Sequence, residues 1–273
     1  MKRKSVVQRL LIAILLFFCV SLLISVLASA FWLKTTSYTI RMQGISDDLR
    51  IVYLSDLHGR EFGRDNCRLV EKIKDESPQL IALTGDMLPK EPSEAAVTKL
   101  CRLIEKLRQL APVYLSFGNV EMVYRKAYGD AFAASLSDAG ATVLEEAWVE
   151  PDINGQRVRL GGVYAYAFPQ SKEPSWITNS TYVFLQDFTN TELPTILLCH
   201  RPDSFIFFNA YQKWDIDLLL CGHTHGGLIR LPFFGGVTAT DQGWFPKYDY
   251  GAYSLGKCTM IITSGFSGHD RIP

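Results

Sequence analysis

The sequence predicts an α/β domain over residues 50–273, carried behind one apolar N-terminal helix. Three observations predict it. From residue 50, short apolar runs alternate with amphipathic helical segments, the pattern of sheets covered by helices. In the second half strands dominate, with a hairpin signal at Asn154-Gly155. Ahead of both, Leu10–Leu33 is a run of 24 residues without a charge.

Residues 1–9 form a basic segment with Lys2, Arg3, Lys4 and Arg9 and no acid, a charge of +4. Residues 10–33 are long enough, as a helix, to span a hydrocarbon core of about 30 Å. Phe31 and Trp32 close the run where aromatics favour the interface, and the preceding cations favour the cytoplasmic side. The expectation is a single-pass anchor with the body outside the cytoplasm. Ala28-Ser29-Ala30 also resembles a cleavage site. Cleavage after Ala30 would make the body a secreted protein, although the apolar run is longer than a usual signal peptide needs.

Residues 34–49 read as a linker or entering edge strand. Arg50–Leu57 is a strand, and Asp65 caps a helix with Leu69, Val70 and Ile73 on its apolar face. Leu80–Thr84 is a buried strand ended by Gly85. Ser93 caps a helix that buries Val97, Leu100, Ile104 and Leu107. Val113–Phe117 is a third strand, and a helix runs from about Tyr124 to Ala139, stopped by Gly140. Thr142–Val149 and Val158–Val163 flank the Asn154-Gly155 turn. Residues 166–180 read as a surface loop able to border a substrate site. Thr195–Cys199, Ile216–Cys221 and Thr259–Ser264 are strands, with a helix-like segment, Asp203–Ala210, between the first two.

Lys plus Arg and Asp plus Glu each number 28. The zero balance argues against nucleic acid held on a basic surface. Once the first 33 residues are set aside the body carries −4, so it has no electrostatic pull toward anionic lipid. The six cysteines show no short repeated spacing and read as small buried hydrophobes.

The chemistry gathers at strand ends. The first strand ends in Ser55-Asp56-Leu57-His58, the second in Thr84-Gly85-Asp86, and the third in Gly118-Asn119-Val120-Glu121. Later strands end in Cys199-His200 and in Gly222-His223-Thr224-His225-Gly226-Gly227. In open α/β sheets ligands bind at the carboxyl ends of strands. Each Asp alone reads as a turn residue and each His as a packed one. Together, burying two Asp, one Asn and four His without partners would cost several kcal/mol each, which metal ligation offsets. In Asp56-x-His58 and His223-x-His225 an extended backbone would point both side chains the same way.

The ordered blocks D-x-H, G-D, G-N-x-E, H and G-H-x-H resemble the calcineurin-like metallophosphoesterase family. With the N-terminal apolar run and His200-Arg201-Pro202-Asp203, the pattern most resembles the bacterial membrane-anchored phosphohydrolase branch. Enzymes similar to that branch include UDP-2,3-diacylglucosamine hydrolases. The resemblance implies a sandwich of two mixed β-sheets flanked by helices and a site for two divalent metal ions. It implies Asp56, His58 and His225 on the first metal, Asn119, His200 and His223 on the second, and Asp86 bridging both. Mixed N and O ligands suit Mn, Fe, Zn or Co. Such a pair lowers the pKa of a bridging water, and the resulting hydroxide attacks phosphorus in line with the leaving oxygen. Asp86 and Asn119 are then the catalytic candidates as well as ligands. The implied partners are a phosphorylated small molecule or lipid-linked substrate, and the membrane through the N-terminal helix.

One position departs from the family pattern: Val120 stands where the family usually has a His that protonates the leaving oxygen. General acid help is worth about 10²–10⁴-fold. Either the substrate has an acidic leaving group, as in a pyrophosphate, or another acid such as His269 substitutes. A third possibility is a protein that holds metal and a phosphorylated ligand without turnover. A zinc peptidase would instead expect three ligands and one open position. The aromatic stretches Phe205–Phe208 and Leu231–Phe234 read as a packed helix and as a lip beside the site. Members of the family usually continue into another strand where this chain ends, so its end at Pro273 implies a truncated chain or an open sheet edge.

Overall fold

Alternate side chains of the buried strands point to opposite faces, and the strand runs here are apolar at most positions on both. That composition calls for cover on both sides, and the computed structural model supplies it. It describes residues 5–31, 33–165, 180–231 and 234–266.

Strands β1 (Ile51–Leu54), β2 (Leu80–Thr84), β3 (Val113–Ser116) and β4 (Ala141–Val143) form a sheet in that order, parallel throughout. The second sheet is mixed. It is built from β5 (Ala147–Val149), β8 (Arg159–Val163), β9 (Thr195–Cys199), β10 (Leu218–Cys221), β15 (Gly251–Leu255) and β16 (Cys258–Ile262). Its order is β15-β16-β10-β9-β8-β5, antiparallel at the two edge pairs and parallel between. Among the described residues, three hairpins of two-residue strands complete the set. They are β6 (Asp152–Ile153) with β7 (Gln156–Arg157), β11 (Arg230–Leu231) with β12 (Gly235–Gly236), and β13 (Thr238–Ala239) with β14 (Gly243–Trp244).

The sheets face each other across one core. Leu80, Ala82 and Tyr114 of the first meet Leu160, Ile196, Leu198, Leu218, Leu220 and Ile261 of the second. The intervening positions Leu197, Cys199, Leu219, Cys221, Met260 and Ile262 point the other way. There they pack against Phe184, Leu185 and Phe188 of α6 (Ser180–Phe188) and Phe205 of α7 (Asp203–Ile206). Each such Leu or Ile taken out of water contributes about 1.5–3 kcal/mol. The two-sheet sandwich flanked by helices is therefore as expected, with the antiparallel pairing confined to the second sheet and the small hairpins.

Several local expectations need correction. Residues 34–49 form no strand; Ile40, Met42, Ile45 and Leu49 instead pack on the sandwich core. Helix α2 (Cys67–Asp75) is preceded by a 3-10 turn, and Asp65 does not cap it. Its N-cap is Asn66, left-handed at φ 60°, whose side chain accepts the Phe62 N–H instead. Ser93 is the N-cap of α3 (Glu94–Leu107) as read, though its hydroxyl makes no cap bond. The expected helix Tyr124–Ala139 is two helices, α4 (Asn119–Tyr128) and α5 (Asp130–Asp138), broken at Gly129 with φ 63°. Thr142–Val149 is not one strand, because the chain leaves β4 in one sheet and enters β5 in the other. The Asn154-Gly155 turn closes the short β6–β7 hairpin. Asp203–Ala210 is a single α turn continued as a 3-10 helix.

All six cysteines are free; Cys199, Cys221 and Cys258 are buried as read, but Cys19 and Cys67 are exposed and Cys101 is half-buried. The N-terminal unit, described by itself, holds helix α1 (Val6–Phe31), whose side chains are described as far as Val20 and are exposed. Among the described residues no helix is long and apolar enough to cross a membrane. The loop expected at 166–180 and His269 lie outside the described residues, save Ser180, which starts α6.

Candidate metal centre

The carboxyl ends of β1, β2, β9 and β10 and the start of α4 converge at one end of the sandwich. Each delivers one of the polar blocks. The turns that carry them are tight: Asp56, His58, Asp86, His223 and His225 all have left-handed φ, between 49° and 71°. The extended alternation expected for Asp56/His58 and His223/His225 is therefore incorrect; the chain turns at each of these residues and still brings them together. Gly85, at φ 84°, begins one such turn. Gly222 serves differently, because a Cβ there would overlap Ser55 Oγ and Asp56 Oδ2.

All seven residues predicted from the sequence lie in this cluster. His58 Nε2 is 3.9 Å from Asp56 Oδ1 and 3.6 Å from Asp86 Oδ2. His225 Nε2 is 3.7 Å from Asp56 Oδ1, and the His58 and His225 rings stand 5.2 Å apart. On the other side His200 Nε2 is 3.5 Å from Asp86 Oδ2 and 3.2 Å from Asn119 Oδ1. His223 Nδ1 is 3.2 Å from the same Asn119 oxygen. Asp86 thus faces a histidine from each half. Asp56, Asp86 and His200 are buried, and His223 nearly so.

These donors fit divalent metal ions. Ligand atoms of Asp56, His58 and His225, and of Asp56, Asp86 and His200, lie within 4.8 Å of one another. The His–Asp separations of 3.5–3.9 Å are too long for hydrogen bonds. They are near the spacing of two ligands on one ion with bonds of about 2.1 Å. Two buried carboxylates on one patch also need compensating positive charge.

The electrostatics without metal show how strongly the groups are coupled. Burial pushes the Asp86 carboxyl up, but the facing His200 imidazole and the Val120 N–H pull it down to about 2. Burial lowers His200, and Asp86 overrides it to hold the imidazole at about 9. The His200 Nδ1–H donates to Thr84 O at 2.8 Å, which leaves Nε2 facing Asp86. Burial and the His200 charge lower His223, against its bond to Asp241.

Three residues without an assigned role join the site. Glu121 accepts backbone N–H groups from Asp86 (2.6 Å), Met87 (2.9 Å), Leu88 (3.3 Å) and Gly118 (2.9 Å). It lashes the β2 turn to the start of α4. Burial and the Asp86 charge raise its pKa to about 7 against those donors. Its place in the Gly118–Glu121 block was the signal available. Arg201, next to His200, pairs with Asp203 and Asp241, and Asp241 accepts from His223. Asp241 lies in a glycine-rich segment without periodicity, which gave no signal. Val120 is buried, and its N–H donates to Asp86 Oδ1 at 2.9 Å. Phe205 is buried as expected; Phe234 is exposed, and Pro232 and Phe233 of the expected lip lie outside the described residues.

Comparison with known proteins agrees with this geometry. The Bacillus subtilis protein named uncharacterized metallophosphoesterase YkuE is 27% identical over 248 residues, 88% of this chain and 80% of that one. Phosphodiesterase YaeI of Escherichia coli is 29% identical over 222 residues, 79% of this chain and 74% of that one. Among solved structures, TT1561 of Thermus thermophilus superposes with a TM-score of 0.52 at 14% identity, over 81% of this chain and 91% of that one. The phosphopantetheinyl hydrolase of Mycobacterium tuberculosis gives 0.50 at 14% identity, over 82% and 93%. These two likenesses concern the fold. Residues 49–227 match the family described as calcineurin-like phosphoesterase, whose enzymes are metal-dependent and use two divalent ions. A chain that matches over this span and gathers these seven side chains at its strand ends belongs to the calcineurin-like phosphoesterase family.

Proposed function

We propose that the protein hydrolyses phosphate esters or pyrophosphates whose leaving group is already a stable anion. The observation that carries the two-metal reading is the pair of side-chain clusters meeting at Asp86. In this reading Asp56, His58 and His225 hold one ion, Asn119, His200 and His223 hold the other, and Asp86 holds both. When bound, the ions lower the pKa of a water between them and neutralise charge on the phosphoryl oxygens. The protein's own part is to aim the ligands, keep the floor of the site dry through Asp56, Asp86 and His200, and present the Asn119 amide to the substrate.

The leaving-group preference rests on Val120, which is buried and has no proton to give. A departing oxygen of low pKa needs none. The test is a panel of pyrophosphate, aryl and alkyl phosphate esters with the Mn²⁺-loaded protein. Faster turnover of alkyl monoesters than of pyrophosphates would reject the preference. The same position favours a second reading, a protein that binds metal and a phosphorylated ligand without turnover. Val120→His separates the two: a gain on poor leaving groups supports the enzyme, and metal bound with no turnover in either form supports the binder.

The substrate reading extends to the membrane. The uncharged run 10–33 behind four cations supports a single-pass anchor with the N-terminus cytoplasmic and the body outside. That placement supports a substrate held at the membrane surface, lipid-linked or of nucleotide type.

A further inference from the structure

We propose that Asp241 is a positioning residue that fixes the His223 imidazole for the second metal, and that Arg201 clamps Asp241 in place. This rests on the two-metal reading above.

Each ring nitrogen of His223 faces a partner. Nε2 lies 3.1 Å from Asp241 Oδ2, and Nδ1 lies 3.2 Å from Asn119 Oδ1. A carboxylate only accepts, so the Nε2 position carries the hydrogen and Nδ1 keeps its lone pair. That lone pair faces Asn119, where His200 Nε2 also points. His200 is oriented the same way from behind, by Thr84 O on its Nδ1. The two histidines thus turn opposite nitrogens to one spot, each set by an acceptor on its far side. Metal-ligating histidines nearly always have such a partner, and losing it costs about 10–100-fold in metal affinity.

The backbone delivers Asp241 for this purpose. It sits at the tip of the β13–β14 hairpin with φ 66°, a left-handed conformation that Asp tolerates better than most residues. The hairpin is tied to the metal block itself: the Thr238 N–H donates to Gly227 O at 3.3 Å. Gln242, next to Asp241, bonds Tyr248 twice, donating to its carbonyl at 2.7 Å and accepting its N–H at 3.1 Å. Arg201 then holds the carboxylate: its Nη2 lies 2.6 Å from Asp241 Oδ2 and 2.9 Å from Asp203 Oδ2. Asp203, His223 and Asp241 also present ligand atoms within 4.8 Å of one another, the spacing of a further cation site. The guanidinium of Arg201 already bridges both carboxylates, so this corner has its permanent cation and needs no ion.

The test uses the full chain, stripped of metal and titrated with Mn²⁺, with bound ions counted and the paramagnetic resonance spectrum recorded. The wild type should bind two ions per chain and give the spectrum of a magnetically coupled pair. Asp241→Ala should keep the first ion at wild-type affinity, bind the second about 10–100-fold more weakly, and show isolated Mn²⁺ at intermediate loading. Asp241→Asn, nearly identical in shape, should fold and show a smaller loss, because its amide oxygen still accepts from Nε2. Wild-type affinity and a coupled spectrum in both variants would overturn the proposal, as would equal loss of both ions or a third ion in the wild type. A wild type that binds fewer than two ions would overturn the two-metal reading itself, an outcome seen before any variant is made.

Discussion

Asp86 and His200 face each other at 3.5 Å with both side chains shut off from water, so each fixes the charge of the other. The Asp86 pKa is lowered from 3.8 to about 2, and that of His200 is raised from 6.5 to about 9. The signs give a stability window for the metal-free protein. The lowered carboxyl contributes stability that is whole above pH 3.8 and lost as pH falls through about 2. The raised imidazole contributes stability that is whole below pH 6.5 and lost as pH rises through about 9. They are two faces of one ion pair and count once. Metal needs the neutral imidazole, so loading must displace the His200 proton. Calorimetric Mn²⁺ titration in buffers of different ionisation heat should show about one more proton released per chain near pH 7 than above about pH 9. No pH dependence of that release would contradict the pairing. At this scale the sequence was most legible, because Asp56, Asp86, Asn119 and the histidines each interrupt or end an apolar run. Asp241 was illegible because its partner is 18 residues away along a segment with no period.

At the scale of elements, the strands were legible and the turns between them were not. A run such as Thr195–Cys199, buried at every position, announces itself by composition. The left-handed residues at Asp56, His58, Asp86, His223 and His225 do not, because tertiary packing sets their φ against local preference. For the same reason the break at Gly129 and the start of α4 at Asn119 escaped the helical pattern, which reports apolar spacing and not caps. Two ties hold these turns. Glu121 collects four backbone N–H groups from the β2 turn and the α4 start. Glu121→Ala would leave buried donors unpaired and should destabilise by about 2–4 kcal/mol in urea unfolding. Glu121→Gln, with one accepting oxygen left, should lose less. The second tie is the bare backbone at Gly222. Gly222→Ala drives a methyl into Ser55 and Asp56, so it should cost about 1–3 kcal/mol and weaken the first metal more than the second. Unchanged unfolding midpoint and metal affinity in Gly222→Ala would show that the β1 and β10 turns can part.

The whole molecule combines a two-sided sandwich with a basic, apolar N-terminal segment. The second sheet is apolar on both faces because Leu198 and Leu220 look inward to the first sheet while Leu197 and Leu219 look outward to α6 and α7. Composition therefore foretold buried strands, but not which sheet each joined: the crossing from β4 to β5 occurs in three residues that carry no turn signal. The body, Tyr38–Ser267, contains both metal clusters and every residue of the Asp241 network. The proposed anchor and the proposed chemistry should then separate. A chain begun at residue 34 should partition to the soluble fraction, while the full chain pellets with membranes and resists extraction by high salt, because a spanning helix is held by apolar burial and not by charge. Turnover of a water-soluble aryl phosphate ester should be equal in the two forms, within about twofold. A lipid-linked ester presented in vesicles should be cleaved faster by the anchored form, because the tether raises the effective concentration of site over substrate. Release of the full chain by salt alone would reject the anchor, and equal rates on the vesicle substrate would place the physiological ester in solution.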